Sequence, residues 1–193
     1  MTQRKTNRRK RGPKPVTEAG LEAAALRYLD RYASSSANLR RILTARVVRA
    51  ARLHETDLDE AGRWIEALIA RLTASGLLDD AAYAAARARS LHRRGISSAG
   101  LRARLSAKGL DRALIAETLE TLAADQEGFE LSAALALVRR RRIGPFRTAE
   151  DRGAFREKDL AALGRQGFAY DIARRVIDTT DLSELEAEAQ SRL

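Results

Sequence analysis

The segment Ser35-Ser36-Ala37-Asn38-Leu39-Arg40-Arg41-Ile42-Leu43 returns further along the chain as Ser97-Ser98-Ala99-Gly100-Leu101-Arg102-Ala103-Arg104-Leu105. Two serines, an alanine, two leucines and an arginine keep their places. Leu105, Gly109, Leu110, Ile115 and Leu119 align in turn with Leu163, Gly167, Phe168, Ile172 and Val176. Internal repetition constrains the fold more than any single motif, because each copy buries its apolar face against the same kind of neighbour. Three repeats are expected, over residues 17–78, 79–125 and 126–180.

Local signals make these repeats helical. Thr17, Ser35, Asp57, Asp79 or Asp80, Ser97 and Asp111 each precede an apolar run, where a side-chain oxygen can accept from the first free helical N–H groups. Apolar residues then recur at helical spacing, as in Leu39, Ile42, Leu43 and Val47, or Leu58, Ala61, Ile65, Leu68, Ile69 and Leu72. Gly76, Gly95, Gly109 and Gly167 fall where such runs stop. Leu131 opens a seventh helix, which Ile143-Gly144-Pro145 ends. Residues 144–158 read as a long polar connection. Strand-like alternation is absent, and Ala, Leu, Arg and Glu, which dominate, are strong helix formers. The expected fold is all-α, with three tandem three-helix repeats.

Charge is unevenly spread. Seven of the ten excess positive charges lie at Arg4, Lys5, Arg8, Arg9, Lys10, Arg11 and Lys14, with no acidic residue among the first fifteen. So basic and polar a segment cannot bury a core, so residues 1–16 are expected to be a disordered tail suited to a polyanion. Residues 181–193 are expected to be a flexible acidic tail.

Catalytic chemistry has little to rest on. With no cysteine, disulfides, thiolate catalysis and cysteine-based zinc sites are excluded. The two histidines, His54 and His92, have no metal-binding partner at helical spacing and read as surface residues. Asp79-Asp80 reads as a helix cap rather than a catalytic pair. No phosphate-binding glycine loop or nucleophile motif occurs. No cofactor, metal or catalytic residue is expected. No apolar run approaches the length of a membrane span, and no signal peptide is visible, so a cytoplasmic location is expected. Trp64 reads as core edge, and Tyr28 and Tyr83 as core.

Basic residues recur on corresponding helices. Arg40 and Arg41 in the first repeat have counterparts in Arg102, Arg104 and Lys108 in the second, and Arg139, Arg140, Arg141 and Arg142 run consecutively at a helix end. A charge run is usually a solvated face. Recurrence on matching helices favours binding of phosphates or of an acidic protein groove.

Several segments together resemble the RecX family of regulatory proteins. They are Ala24-Ala25-Leu26-Arg27-Tyr28-Leu29, the Ser35 segment above, Leu72 through Gly76-Leu77-Leu78-Asp79-Asp80 to Ala84, Leu101 through Lys108-Gly109-Leu110, and Arg165-Gln166-Gly167-Phe168 through Val176. The resemblance covers about residues 20–178. It implies that the three repeats take an elongated, curved arrangement, that the protein binds in the groove of the RecA recombinase filament, and that it restrains ATP hydrolysis, strand exchange and stimulation of repressor self-cleavage. It also implies binding to single- or double-stranded DNA, and no catalytic residues. A monomer is expected. Ala169 departs from the pattern where a capping serine is expected, and the basic and acidic ends lie outside the shared region. The alternative reading is a direct DNA-binding protein of helix-turn-helix type. Against it, the second and third helices show no single strong base-reading face with Asn, Gln and Arg together.

Overall fold

The structure, a computed structural model, describes residues 15–126 and 128–190. The expectation of a disordered basic tail at 1–16 therefore falls almost wholly outside the described residues. The described residues form ten α-helices and one 3-10 turn, with no strand. They fall into two compact units, one up to Leu78 and one from Asp79 onward.

The first unit contains α1 (Glu18–Leu29), α2 (Ser36–Ala51) and α3 (Leu58–Ala74). Each helix starts where a short polar side chain replaces the missing intrahelical acceptor. Thr17 accepts from the Gly20 N–H at 3.1 Å, Ser35 from Asn38 at 3.2 Å, and Asp57 from Asp59 and Glu60 at 2.9 Å. After α3, Gly76 takes φ +76°, and the Leu78 N–H returns to the Leu72 carbonyl. That closing turn buries Leu78 with Leu21, Leu39, Leu43, Val47, Ile65 and Leu68. Trp64 and Tyr28 border this core, and Asn38 inside it donates to Ser34 Oγ at 2.8 Å and to the Tyr28 hydroxyl at 3.3 Å.

The second unit contains α4 (Asp80–His92), α5 (Ser98–Ser106), α6 (Arg112–Ala124), α7 (Phe129–Arg141), α8 (Ala149–Gly164), α9 (Tyr170–Asp178) and α10 (Leu182–Gln190). It has two apolar clusters. One joins α4, α5 and α6 through Ala84, Leu91, Leu101, Leu105, Ile115 and Leu119. The other joins α7, α8, α9 and α10 through Leu137, Val138, Leu163, Val176, Ile177 and Leu185. Tyr83 packs half-buried against the first.

The clusters are tied by a polar corner. Ser97 caps α5 by accepting from Gly100 N–H and donates its own hydroxyl to the Gln166 carbonyl at 2.6 Å. Glu130 at the start of α7 accepts from the Ser98 N–H at 2.6 Å. At Gly95, φ is +76° and a Cβ would lie 2.5 Å from the Leu137 backbone nitrogen, so only glycine allows this approach.

Four sequence expectations change. Residues 144–158 are not a polar connection. Gly144–Phe146 is a 3-10 turn, and α8 begins at Ala149, capped by Thr148, whose hydroxyl accepts from Asp151. Its first two turns, poor in apolar residues, are held by Arg152, which donates to the Thr179 carbonyl, and by Arg156, which forks onto Asp178. Residues 182–190 are a helix rather than a flexible tail, since Leu185 and Ala189 are buried against α7. His92 is buried, not on the surface, and its ring stacks on Phe129 at 3.9 Å. Finally, the pairing of Ile115 with Ile172 slips by one residue. Asp111 and Ala169 occupy the same cap position, and four residues on from each stand the buried Ile115 and Ala173. Ile172 is only partly buried. Ala169 makes no side-chain cap bond.

Candidate functional site

Helix geometry places Leu101 and Leu105 on the buried side of α5 and leaves Ala103 outward, so Arg102 and Arg104 lie on opposite edges of the exposed face. Arg102 shares its edge with Arg112 of α6. Together they rim a groove floored by Ala103, Ser106, Leu110, Ile115 and Ala116. Lys108 lies past the Ala107 C-cap, in the turn that follows α5, and is half-buried. The three cations expected on this helix therefore bracket α5 instead of forming one patch.

Their counterparts in the first unit are differently engaged. Arg40 forks onto Glu66 of α3 through two bonds of 2.6 and 2.8 Å. The Arg40 hydrogen bond holds the Glu66 carboxyl below its ordinary value. Arg41 is exposed and donates to Asn38 Oδ1 at 2.7 Å. Thus Arg40 braces α2 against α3, and Arg41 is the more outward of the pair.

Arg139, Arg140, Arg141 and Arg142 are all exposed at the end of α7, where the helix dipole favours positive charge. Arg142 stands in the left-handed region at φ 52°, the one non-glycine residue at positive φ among the described residues. Arg139 is paired with Glu186 of α10, and its guanidinium lies 5.8 Å from the centre of the Phe146 ring.

Three polar arrangements were invisible in the sequence. Arg147 forks onto Asp159 at 2.6 and 2.8 Å, and the Gly144 N–H donates to the same carboxylate at 2.9 Å. Burial acts to raise the Asp159 carboxyl; the Arg147 fork and the Gly144 N–H outweigh it and hold it below the ordinary range. Arg175 of α9 pairs with Glu188 of α10 at 2.7 Å. The third surrounds His92, whose Nε2–H donates to the Phe129 carbonyl at 2.7 Å beside a cavity of about 790 Å³ lined by Arg89, Arg93 and Gln126. Their partners are far apart in sequence, and no spacing rule links them. No group of metal-ligating side chains occurs among the described residues, and no described helix is long and apolar enough to cross a membrane.

His92 carries a pH-dependent expectation. Burial depresses its folded-state pKa below 6.5, against the opposing pull of the Phe129 carbonyl and Glu130. Its contribution to stability is thus present above the unfolded value and is lost as pH falls toward the folded one. Urea midpoints should fall between about pH 7.5 and about pH 5.5, and His92→Gln should flatten that dependence. An equally steep dependence in the variant would assign the effect to other groups.

Comparison with known proteins gives a consistent picture. The family model described as RecX, second three-helix domain, matches residues 79–119, which span α4, α5 and part of α6. The chain is similar to a regulatory protein RecX of Myxococcus xanthus, 41% identical over 177 residues, covering 91% of this chain and 94% of that protein. A regulatory protein RecX of Agrobacterium fabrum is 39% identical over 103 residues, 53% of each chain. Among solved structures, a regulatory protein RecX superposes with a TM-score of 0.59 at 20% identity, covering 84% of this chain and 72% of that one. RecX from Lactobacillus salivarius gives 0.57 at 20% identity, covering 88% and 97%. The structural likeness at this identity speaks for the fold alone.

Proposed function

The chain belongs to the RecX family of regulatory proteins, and from that premise we propose that it binds the RecA recombinase filament on DNA and inhibits ATP hydrolysis, strand exchange and repressor self-cleavage. The observation that carries this reading is the 41% identity over 91% of the chain to a regulatory protein RecX. In this reading the protein acts by binding, with no catalysis of its own. Three helical repeats present cations to a filament that is a polyanion with protein walls, and a focused negative field favours them. Exposed Arg41, Arg102, Arg104, Arg140, Arg141 and Arg142 are suited to that contact. Arg40, Lys108 and Arg139 belong to the same candidate surface.

The test is ATP turnover by RecA assembled on single-stranded DNA. Added protein is expected to suppress turnover at less than one molecule per RecA, because one molecule spanning several subunits affects more than one. Full turnover at equimolar protein and about 0.1 M salt overturns the proposal.

A narrower expectation concerns α5. Replacing Arg102, Arg104 and Lys108 by Ala retains the helix, since Ala has the highest helix propensity, and leaves Leu101 and Leu105 buried. Association with immobilised filaments is expected to slow by roughly threefold or more at low salt, with a weaker salt dependence. A folded variant that associates like the parent at low and physiological salt removes these residues from the contact.

A further inference from the structure

Helix α10 brings acidic side chains onto basic ones. Glu186 pairs with Arg139 at the end of α7, and Glu188 pairs with Arg175 of α9 through both of its carboxylate oxygens. Both arginines keep more than half of their side-chain surface exposed, 61% and 51%. Exposed Arg140 and Arg141 continue the positive surface along α7, and Arg174 lies beside Arg175 on α9.

Different atoms hold α10 in place. Leu185 and Ala189 are buried in the α7–α9 core. The Gln126 side chain donates to the Ala189 carbonyl at 2.8 Å, and a Cβ on Gly128 would lie 2.7 Å from the Ala189 Cα. The glutamates are therefore not needed to anchor the helix, and exposed ion pairs of this kind contribute little to stability. What they do is occupy two guanidinium groups that still face solvent.

We propose that the face of α7 and α9 beside α10 is a binding surface for a nucleic-acid phosphate backbone, and that Glu186 and Glu188 compete with that backbone for Arg139 and Arg175. The chemistry favours phosphate as the occupant. A guanidinium fork that matches a carboxylate matches a phosphate equally well. Because both arginines are half-exposed, exchange of carboxylate for phosphate leaves α10 docked. The competition lowers the affinity of this face for nucleic acid by keeping both arginines from the strand. This goes beyond the filament proposal, and no recombinase enters its test.

The experiment uses the full chain and a mixed-sequence single-stranded DNA of about 20 nucleotides, with affinity measured across a salt series. Glu186→Gln/Glu188→Gln is expected to bind on the order of fivefold tighter at low salt, with the log–log salt slope steeper by about 1.4, as two added phosphate contacts require. Glu117→Gln/Glu120→Gln is the charge-matched control: both residues are exposed on α6 in the same unit. Glu186→Asp/Glu188→Asp shortens the reach to the arginines without altering net charge, and is expected to give part of the gain. Adding Arg139→Gln/Arg175→Gln to the Gln pair should cancel it. Helicity is checked for every variant, and the Asp pair serves if the Gln pair does not fold. An equal gain in the α6 control, a gain that survives loss of both arginines, or no gain in folded Gln and Asp pairs overturns the proposal.

Discussion

Asp159→Ala is expected to destabilise the second unit by about 3–5 kcal/mol, the typical cost of breaking a buried ion pair by removing one partner. The carboxylate is 2% exposed and accepts from the Arg147 fork and from the Gly144 N–H. These bonds tie α8 to the turn that ends α7. At Gly144, φ is +58° and a Cβ would lie 2.6 Å from Ile177 Cδ1, so the turn is pressed against α9 as well. Without Asp159, the Gly144 N–H loses its acceptor in a buried place and Arg147 loses the partner that neutralises it.

The pH dependence has a definite sign. The folded-state carboxyl lies below its ordinary value, so its contribution is complete above the unfolded pKa and is lost as pH falls through the folded one. Arg147→Met removes the opposing charge, lets burial dominate, and should move the Asp159 carboxyl upward. Urea unfolding at neutral and acidic pH measures both effects. A midpoint shift in Asp159→Ala equivalent to less than about 1 kcal/mol would make the pair a surface contact in energetic terms.

Leu105→Ala is expected to cost about 2–4 kcal/mol, the range for a fully enclosed leucine. Leu105 is 0% exposed and packs among Leu101, Leu110, Ile115 and Leu119. Helix α5 has only nine residues and buries just two leucines of its own, so the loss removes about half of its core contribution. A short helix has little intrinsic stability to offset this. Chemical denaturation followed by circular dichroism measures it. A change within about 0.5 kcal/mol would place Leu105 outside the energetic core.

Much of this architecture was legible before any coordinates. Thr17, Ser35, Asp57, Asp79, Ser97 and Asp111 all cap the helices that their positions announced. Gly76, Gly95, Gly109 and Gly167 all take positive φ. These features depend on contacts within three or four residues, so the text itself carries them. The recurrence of Ser35 and Ser97 with the leucines that follow was equally visible, because core positions of a repeated helix keep their spacing.

The candidate surface was legible only as a set of charges. Spacing identified Arg40 and Arg102 as equivalent, yet Arg40 is forked onto Glu66 while Arg102 rims an open groove. Whether an arginine faces a partner or the solvent depends on which carboxylate another helix brings near it. That information lies in packing and not in local pattern.

The sequence by itself determined the helical class, the starts of the first six helices, the glycine stops, and the family, because each rests on short-range rules or on recurring words. Tertiary structure alone decided that residues 149–158 continue a helix, that His92 turns inward onto Phe129, and that α10 docks on α7. The physical reason is the same in each case. A stretch poor in apolar residues is held by distant partners, here Asp178 for Arg156, Phe129 for His92, and Gln126 for the Ala189 carbonyl of α10. Pairings across 22 to 63 residues are chosen by the fold and leave no periodic trace in the chain.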